Sequence, residues 1–244
     1  MPAGQRFRIG TAGWAIPRAV AEHFPAEGSG LQRYAARFDA AEINSTFYRP
    51  HRASTFARWR DSTPDSFRFA VKVPRALTHE ARLANCEAGL ASFLGEVAIL
   101  GPRLGPLLAQ LPPSLVFDPP VARAFFSALR GRWAGGLVCE PRHPTWFEDR
   151  AEALLADHRV ARAAADPARH PRAAAPGGWR GLAYWRMHGS PRMYYSAYDP
   201  ARLDALGAAL RAAAPGEVWC VFDNTTSGAA TANALDLQAR LGEP

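Results

Sequence analysis

A chain of 244 residues with 48% apolar content and a formal net charge of +7 can bury one large core, and it attracts anionic partners at long range. No stretch approaches the roughly 18 uncharged apolar residues of a membrane span, and the opening MPAGQRFRIGTAGW holds no apolar signal core, so the sequence predicts a cytoplasmic protein with no membrane partner. Cys86, Cys139 and Cys220 are odd in number and far apart, which excludes a disulfide framework or zinc knuckle and reads as small buried apolar residues.

Residues 7–13 (FRIGTAG) read as a short strand ending in glycines, and 31–38 as a helix by apolar spacing. The second strand is predicted over 40–47. Its alternation puts Glu42, Asn44 and Thr46 on one face and Ile43 and Phe47 on the other. A helix over 54–61 follows, then a strand over 67–73 stopped by Pro74 and a helix over 86–100. Residues 107–111 form the fourth strand before Pro112 and Pro113, and 120–129 a helix with proline in its favoured first turn. A strand over 136–140, a helix over 148–158 and a weaker strand over 160–165 come next. The segment 167–180, PARHPRAAAPGGWR, carries too much proline and glycine for an ordinary helix. The chain closes with strands over 182–188 and 218–223 and helices over 200–214 and 229–241.

Eight strands separated by seven clear helices imply a parallel sheet with right-handed crossovers. No shift of composition marks a linker, so residues 1–244 are expected to form a single α/β domain, a TIM (β/α)8-type barrel with an irregular or missing sixth helix. A doubly wound open sheet is the runner-up. It lacks its phosphate fingerprint, because the first strand leads into GTAGW rather than G-x-G-x-x-G.

Active sites of such barrels lie at the carboxyl ends of the strands. Those ends collect Glu42, Asn44, Thr46, Lys72, Gln110, Glu140, Arg142, Arg186, His188, Asp223 and Thr225. Strand parity turns Cys139, Trp185, Met187 and Cys220 to the opposite face, where helices would cover them.

The chain resembles the YecE-like family, domain of unknown function family 72. The stretches that carry the resemblance are GTAGW at 10–14, EINSTFYR at 42–49, FAVKVPR at 69–75 with THE at 78–80, QLPPS at 110–114, EPRHPTW at 140–146, YWRMHG at 184–189 and FDNTTSGAATANA at 222–234. The resemblance implies a TIM barrel and brings no established reaction, so the chemistry has to come from the residues themselves.

Glu42, Lys72, Glu140, His188 and Asp223 are the candidate catalytic groups, and Asn44, Tyr48, Gln110, Arg142, Arg186, Asn224 and Thr225 the candidate substrate-binding groups. Lys72, Arg142 and Arg186 suit a small anionic, phosphate-bearing ligand, with His188 or Glu140 moving a proton in a hydrolysis. The stretch Thr225, Thr226, Ser227 and Gly228 before the last helix offers a second phosphate site or an ordinary cap. No cofactor is expected; a divalent metal on Glu42, Glu140, His188 and Asp223 is opposed by the neighbouring cations. Glycoside hydrolysis by Glu42 and Glu140, with Trp14, Tyr48, Trp146, Tyr194 and Tyr195 stacking on sugars, and Schiff-base chemistry at Lys72 rank lower. The arginines are scattered rather than clustered, so charge alone is a weak sign of nucleic-acid binding. Arg192 among Tyr194, Tyr195 and Tyr198 still keeps a nucleic-acid partner or an endonuclease-like role as the alternative. A third reading is a non-catalytic barrel in which the acids and cations simply neutralise one another.

Overall fold

The computed structural model describes residues 6–213 and 216–242. Its parallel strands are β1 (Arg6–Ala12), β2 (Ala40–Ile43), β3 (Arg68–Lys72), β4 (Leu104–Gln110), β5 (Leu137–Glu140), the pair β6 (Val160–Arg162) and β7 (Ala164–Asp166), then, after a two-residue antiparallel β8 (Gly177–Gly178), β9 (Leu182–Met187) and β10 (Glu217–Phe222). From β1 to β6 each strand pairs with the next, β9 pairs with β10, and β10 returns to β1. The parallel ladder ends at β6, which pairs with β5 and carries the short antiparallel β8 on its other edge, and at β7, which pairs with β9. These are halves of one strand interrupted at Ala163, so the sheet closes into an eight-stranded barrel.

The helices are α1 (Gly30–Ala35), α2 (Ala53–Asp61), α3 (Glu87–Val97), α4 (Pro119–Arg130), α5 (Asp149–Asp157), α6 (Pro200–Arg211) and α7 (Ala229–Leu241). Their starts are written in the sequence. Ser29 and Gln32 form a capping box on α1, and Asp118 and Asp199 accept from the Val121 and Arg202 amides ahead of Pro119 and Pro200. The helix predicted over 200–214 ends at Arg211; Ala214 lies outside the described residues. Among the described residues no helix is long and apolar enough to cross a membrane.

No α-helix covers the sixth crossover. A short turn at Pro171–Ala174 and the antiparallel Gly177–Gly178 fill its place, held by Arg162. The Arg162 guanidinium lies over the Phe147 ring, pairs with Glu152 and donates to the carbonyls of Arg172 and Ala175. A Cβ on Gly177 would sit 2.3 Å from that guanidinium, so a side chain there would push Arg162 and Glu152 aside.

Two apolar layers follow from strand parity. Ile43, Phe69, Val71, Ala109, Cys139, Trp185, Met187 and Cys220 belong to the layer between strands and helices. Ala40, Ala70, Leu108, Val138, Tyr184, Trp219 and Val221 fill the barrel interior. All three cysteines are buried and free. The amino end of the barrel carries buried charge as well. Arg8, 2% exposed, donates there to Glu217, Asp39 and the Ser66 carbonyl.

Two expected strands depart from the regular alternation, one cut short and one divided. β2 ends at Ile43 and turns at once into a 3-10 turn over Ser45–Phe47, because Thr46 Oγ1 donates to the Lys72 carbonyl at 2.7 Å and draws the chain across to β3. Thr46 is therefore spent on backbone rather than facing the interior. The predicted strand over 160–165 is divided at Ala163, whose amide bonds the Cys139 carbonyl before the chain shifts to β9.

Candidate functional site

The carboxyl ends of β2, β3, β4, β5, β9 and β10 deliver inward-facing side chains to one network. Arg186, on β9 and without exposed surface, is its centre. Its Nε donates to Glu42 Oε2 at 3.0 Å, Nη1 to Glu140 Oε2 at 2.7 Å, and Nη2 to Glu42 Oε1 at 2.5 Å and Asp223 Oδ2 at 3.1 Å. His188, two residues on, places Nδ1 3.0 Å from Asp223 Oδ2 and Nε2 3.0 Å from Glu140 Oε1. Gln110 Nε2 donates to both oxygens of Glu140, Arg142 Nη2 to Glu140 Oε1 at 3.3 Å, and Asn44 Nδ2 to Asp223 Oδ1 at 3.4 Å.

The electrostatics follow from these contacts. Burial opposes ionisation of Glu140, but Arg186, His188 and Arg142 outweigh it and hold the carboxyl well below the usual range. Asp223 is likewise driven up by burial and down further by Arg186, His188 and Lys72. Burial disfavours the His188 imidazolium, yet Glu140 and Asp223 raise its pKa above the ordinary value. A ring with a carboxylate at each nitrogen satisfies both bonds only when both nitrogens carry protons.

Lys72 differs from the other cations. Its Nζ lies 4.1 Å from the centre of the Phe47 ring, and among the described residues no carboxylate stands within ion-pair distance. Burial and then Arg186 pull its pKa down to about 8, against Glu42, Glu140 and Asp223. His79 beside it is lowered by burial and by Lys72, Arg75 and Arg142, which identifies the β3–β5 side of the mouth as a cationic corner.

Of the twelve candidates, Glu42, Asn44, Gln110, Glu140, Arg142, Arg186, His188 and Asp223 join one hydrogen-bonded network, and Lys72 borders it. The other three stand apart. Tyr48 is 74% exposed with its ring against Phe47, and Thr225 is exposed. Asn224 is buried behind the loop over 188–198, where it donates to Ser196 O and Asn233 Oδ1. The turn before α7 offers less to an anion than its composition implied. The amides of Thr226, Gly228 and Ala230 are already bonded to the carbonyls of Tyr194, Thr225 and Asn224. Trp146, expected as a stacking residue, is buried against Phe117 with its Nε1 on the Leu115 carbonyl. His143 caps a short turn through Thr145.

One member had been overlooked. Tyr184, fully buried, donates its hydroxyl to Glu42 Oε2 at 2.9 Å. It shares strand parity with Arg186 and His188, so the same alternation could have found it.

A metal ion finds no vacancy among these acids, because the three carboxylates already converge on the guanidinium of Arg186. Among the described residues no group of three or more His, Cys, Asp or Glu side chains has the arrangement to hold one.

The profile of the family described as protein of unknown function DUF72 matches residues 8–244. The chain belongs to the DUF72 family. This DUF72 chain is 34% identical over 142 residues to the UPF0759 protein YecE of Escherichia coli K12, a match covering 57% of the chain and 49% of the relative, about half that protein's length. The DUF72 fold is the same as that of a family member from Enterococcus faecalis V583, with a TM-score of 0.82 at 19% identity over 98% of this chain and 96% of the other. A member from Thermotoga maritima MSB8 gives 0.78 at 24% identity over 97% and 99%.

Proposed function

We propose that the carboxyl mouth of this DUF72 barrel binds a small anionic, phosphate-bearing ligand at the corner formed by Lys72 and Arg142 and acts on it by proton transfer through His188, with hydrolysis as the reaction class. One observation carries the reading: in a network whose other charges are paired, Lys72 keeps a buried amine with no acidic partner among the described residues. Arg142 adds a guanidinium whose single carboxylate bond, to Glu140 at 3.3 Å, leaves donors for a ligand. His188, protonated between Glu140 and Asp223, supplies the acid.

Calorimetric titration with inorganic phosphate tests the anion site. Arg142→Ala, at a side chain 15% exposed, is expected to weaken binding at least tenfold while the fold survives. Equal affinity in the variant would refute the site. A panel of phosphomonoesters and phosphodiesters tests turnover.

A second reading rests on the loop over 188–198, where the Arg192 guanidinium lies 3.8 Å from the centre of the exposed Tyr195 ring, next in sequence to the exposed Tyr194. Such a pairing suits a single nucleic-acid strand. It predicts binding of an oligonucleotide that weakens steeply with salt and is lost on Arg192→Ala.

A further inference from the structure

We propose that Lys72 is a covalent nucleophile whose amine forms an imine with the carbonyl carbon of a small aldehyde or ketone that also carries an anionic group. The inference rests on the anion-binding reading above and names the substrate class for that site.

The first ground is choice of residue. Lys72 is the only lysine among 29 lysine and arginine residues. Arginine supplies permanent charge and forked hydrogen bonds but keeps its proton in proteins; lysine is the base that can release it. Wherever this chain needs only a cation it uses arginine. The single exception is buried at the barrel mouth, where replacement by arginine would remove a deprotonatable amine and nothing else in charge.

Geometry is the second ground. Parity turns the Lys72 side chain into the barrel at the end of β3, beside the Phe47 ring and within the field of Glu42, Glu140 and Asp223. Those acids are engaged by Arg186, and Glu140 and Asp223 by His188 as well. With His188 protonated, three cations already balance three carboxylates: Arg186, Arg142 and His188 against Glu42, Glu140 and Asp223. A proton on Lys72 would be surplus. The Phe47 ring favours the ammonium, and burial outweighs it, which agrees with the fall of the pKa to about 8. Roughly a tenth of the amine is then free at pH 7, and the share grows as pH rises, as imine formation requires.

The step balances without a further reagent. The Nζ lone pair adds to the carbonyl carbon and the carbon–oxygen π pair moves to oxygen, giving a carbinolamine. The carbon–oxygen bond then breaks as nitrogen forms its double bond to carbon. Both amine protons leave with the oxygen as water, and nothing is oxidised or reduced. The anionic group of the substrate is held by Arg142, which fixes the carbonyl against Nζ.

The single lysine makes the test direct. The full chain is incubated with cyanoborohydride and either glyoxylate or glyceraldehyde 3-phosphate, with neutral glyceraldehyde as control, and adducts are read by intact mass and peptide mapping. The expected result is one adduct at Lys72, formed at least tenfold faster with an anionic carbonyl than with the neutral one and slowed by inorganic phosphate. Lys72→Arg should show no adduct there, and reaction at the α-amine is the internal reference. Absence of a Lys72 adduct in protein that binds phosphate overturns the nucleophile and leaves the anion site standing. Trapping at equal rates with charged and neutral carbonyls, unaffected by phosphate, overturns the substrate class and the anion site together. Circular dichroism of Lys72→Arg, with Lys72→Met as a second variant, separates lost chemistry from lost fold.

Discussion

Arg186 and Glu42 meet side-on inside the barrel, Nε to Oε2 at 3.0 Å and Nη2 to Oε1 at 2.5 Å, with no exposed surface on either side chain. Such a pair adds little net stability over an apolar replacement, but removing one member strands the other in a dry interior. Here three carboxylates depend on one guanidinium, because Glu140 and Asp223 accept from it too. Arg186→Ala is therefore expected to cost about 3–5 kcal/mol in unfolding free energy. Arg186→Lys should recover only part, since an ammonium cannot make the forked contact. Urea unfolding measures both. A loss within about 1 kcal/mol, the size of an exposed pair, would show that the acids find other partners.

His188 reports on the same network from the other side. Its folded pKa is raised, so its stabilising effect is present below the unfolded value of about 6.5 and is lost as pH climbs through the folded value. Glu140 and Asp223 run the opposite way, stabilising above their unfolded range and ceasing to do so as pH falls through their depressed values. Glu140→Gln removes the acid at Nε2 and should lower the His188 pKa in an NMR titration. An unchanged midpoint would mean that Asp223 alone holds the proton.

The alternation of polar and apolar residues made much of this legible. It placed Glu140 opposite Cys139 and Arg186 opposite Trp185 and Met187, and the structure divides those residues between the interior and the helix layer in the same way. Proline and glycine in 167–180 likewise marked the crossover without a helix. What periodicity could not show was departure from regularity: Thr46 pulled off the strand by the Lys72 carbonyl, or a strand split at Ala163 so that one half serves each neighbour. Nor could it show how charges are shared out. Arg142 and Arg186 look equivalent along the chain, yet one retains donors at the mouth while the other is wholly occupied by three acids.

Gly10 in β1 supplies a prediction about the frame itself. A Cβ there would lie 2.1 Å from the Ala40 carbonyl oxygen of β2, backbone that cannot step aside. Gly10→Ala should cost at least about 3 kcal/mol or prevent folding, at the upper end of overpacking. Gly13 has φ +76° and open space around it, so Gly13→Ala should cost only the backbone strain of about 1–2 kcal/mol. Thermal unfolding of the two variants distinguishes close approach from conformation; equal losses would remove the contact with β2 as the cause.

Lys72 sets the last expectation, and its sign is opposite to that of an ordinary structural residue. Its pKa is near 10.5 in the unfolded chain and about 8 in the fold, chiefly through burial and the nearby Arg186. Between those values the unfolded state binds more protons, so the contribution of this group to stability rises with pH across that window. Below pH 8 both states are charged, and the folded state bears the full cost of burying an ammonium, on the order of 3 kcal/mol from the shift. Lys72→Met keeps the apolar stem and removes the charge, so it should stabilise the protein at pH 7 by up to that amount and lose the advantage as pH approaches 10.5. Urea midpoints of the two proteins at pH 7 and pH 10 give the comparison. Greater stability in the variant would mark Lys72 as a residue the fold bears at a cost, as groups kept for chemistry are. A destabilised variant at pH 7 would make it a structural counter-charge.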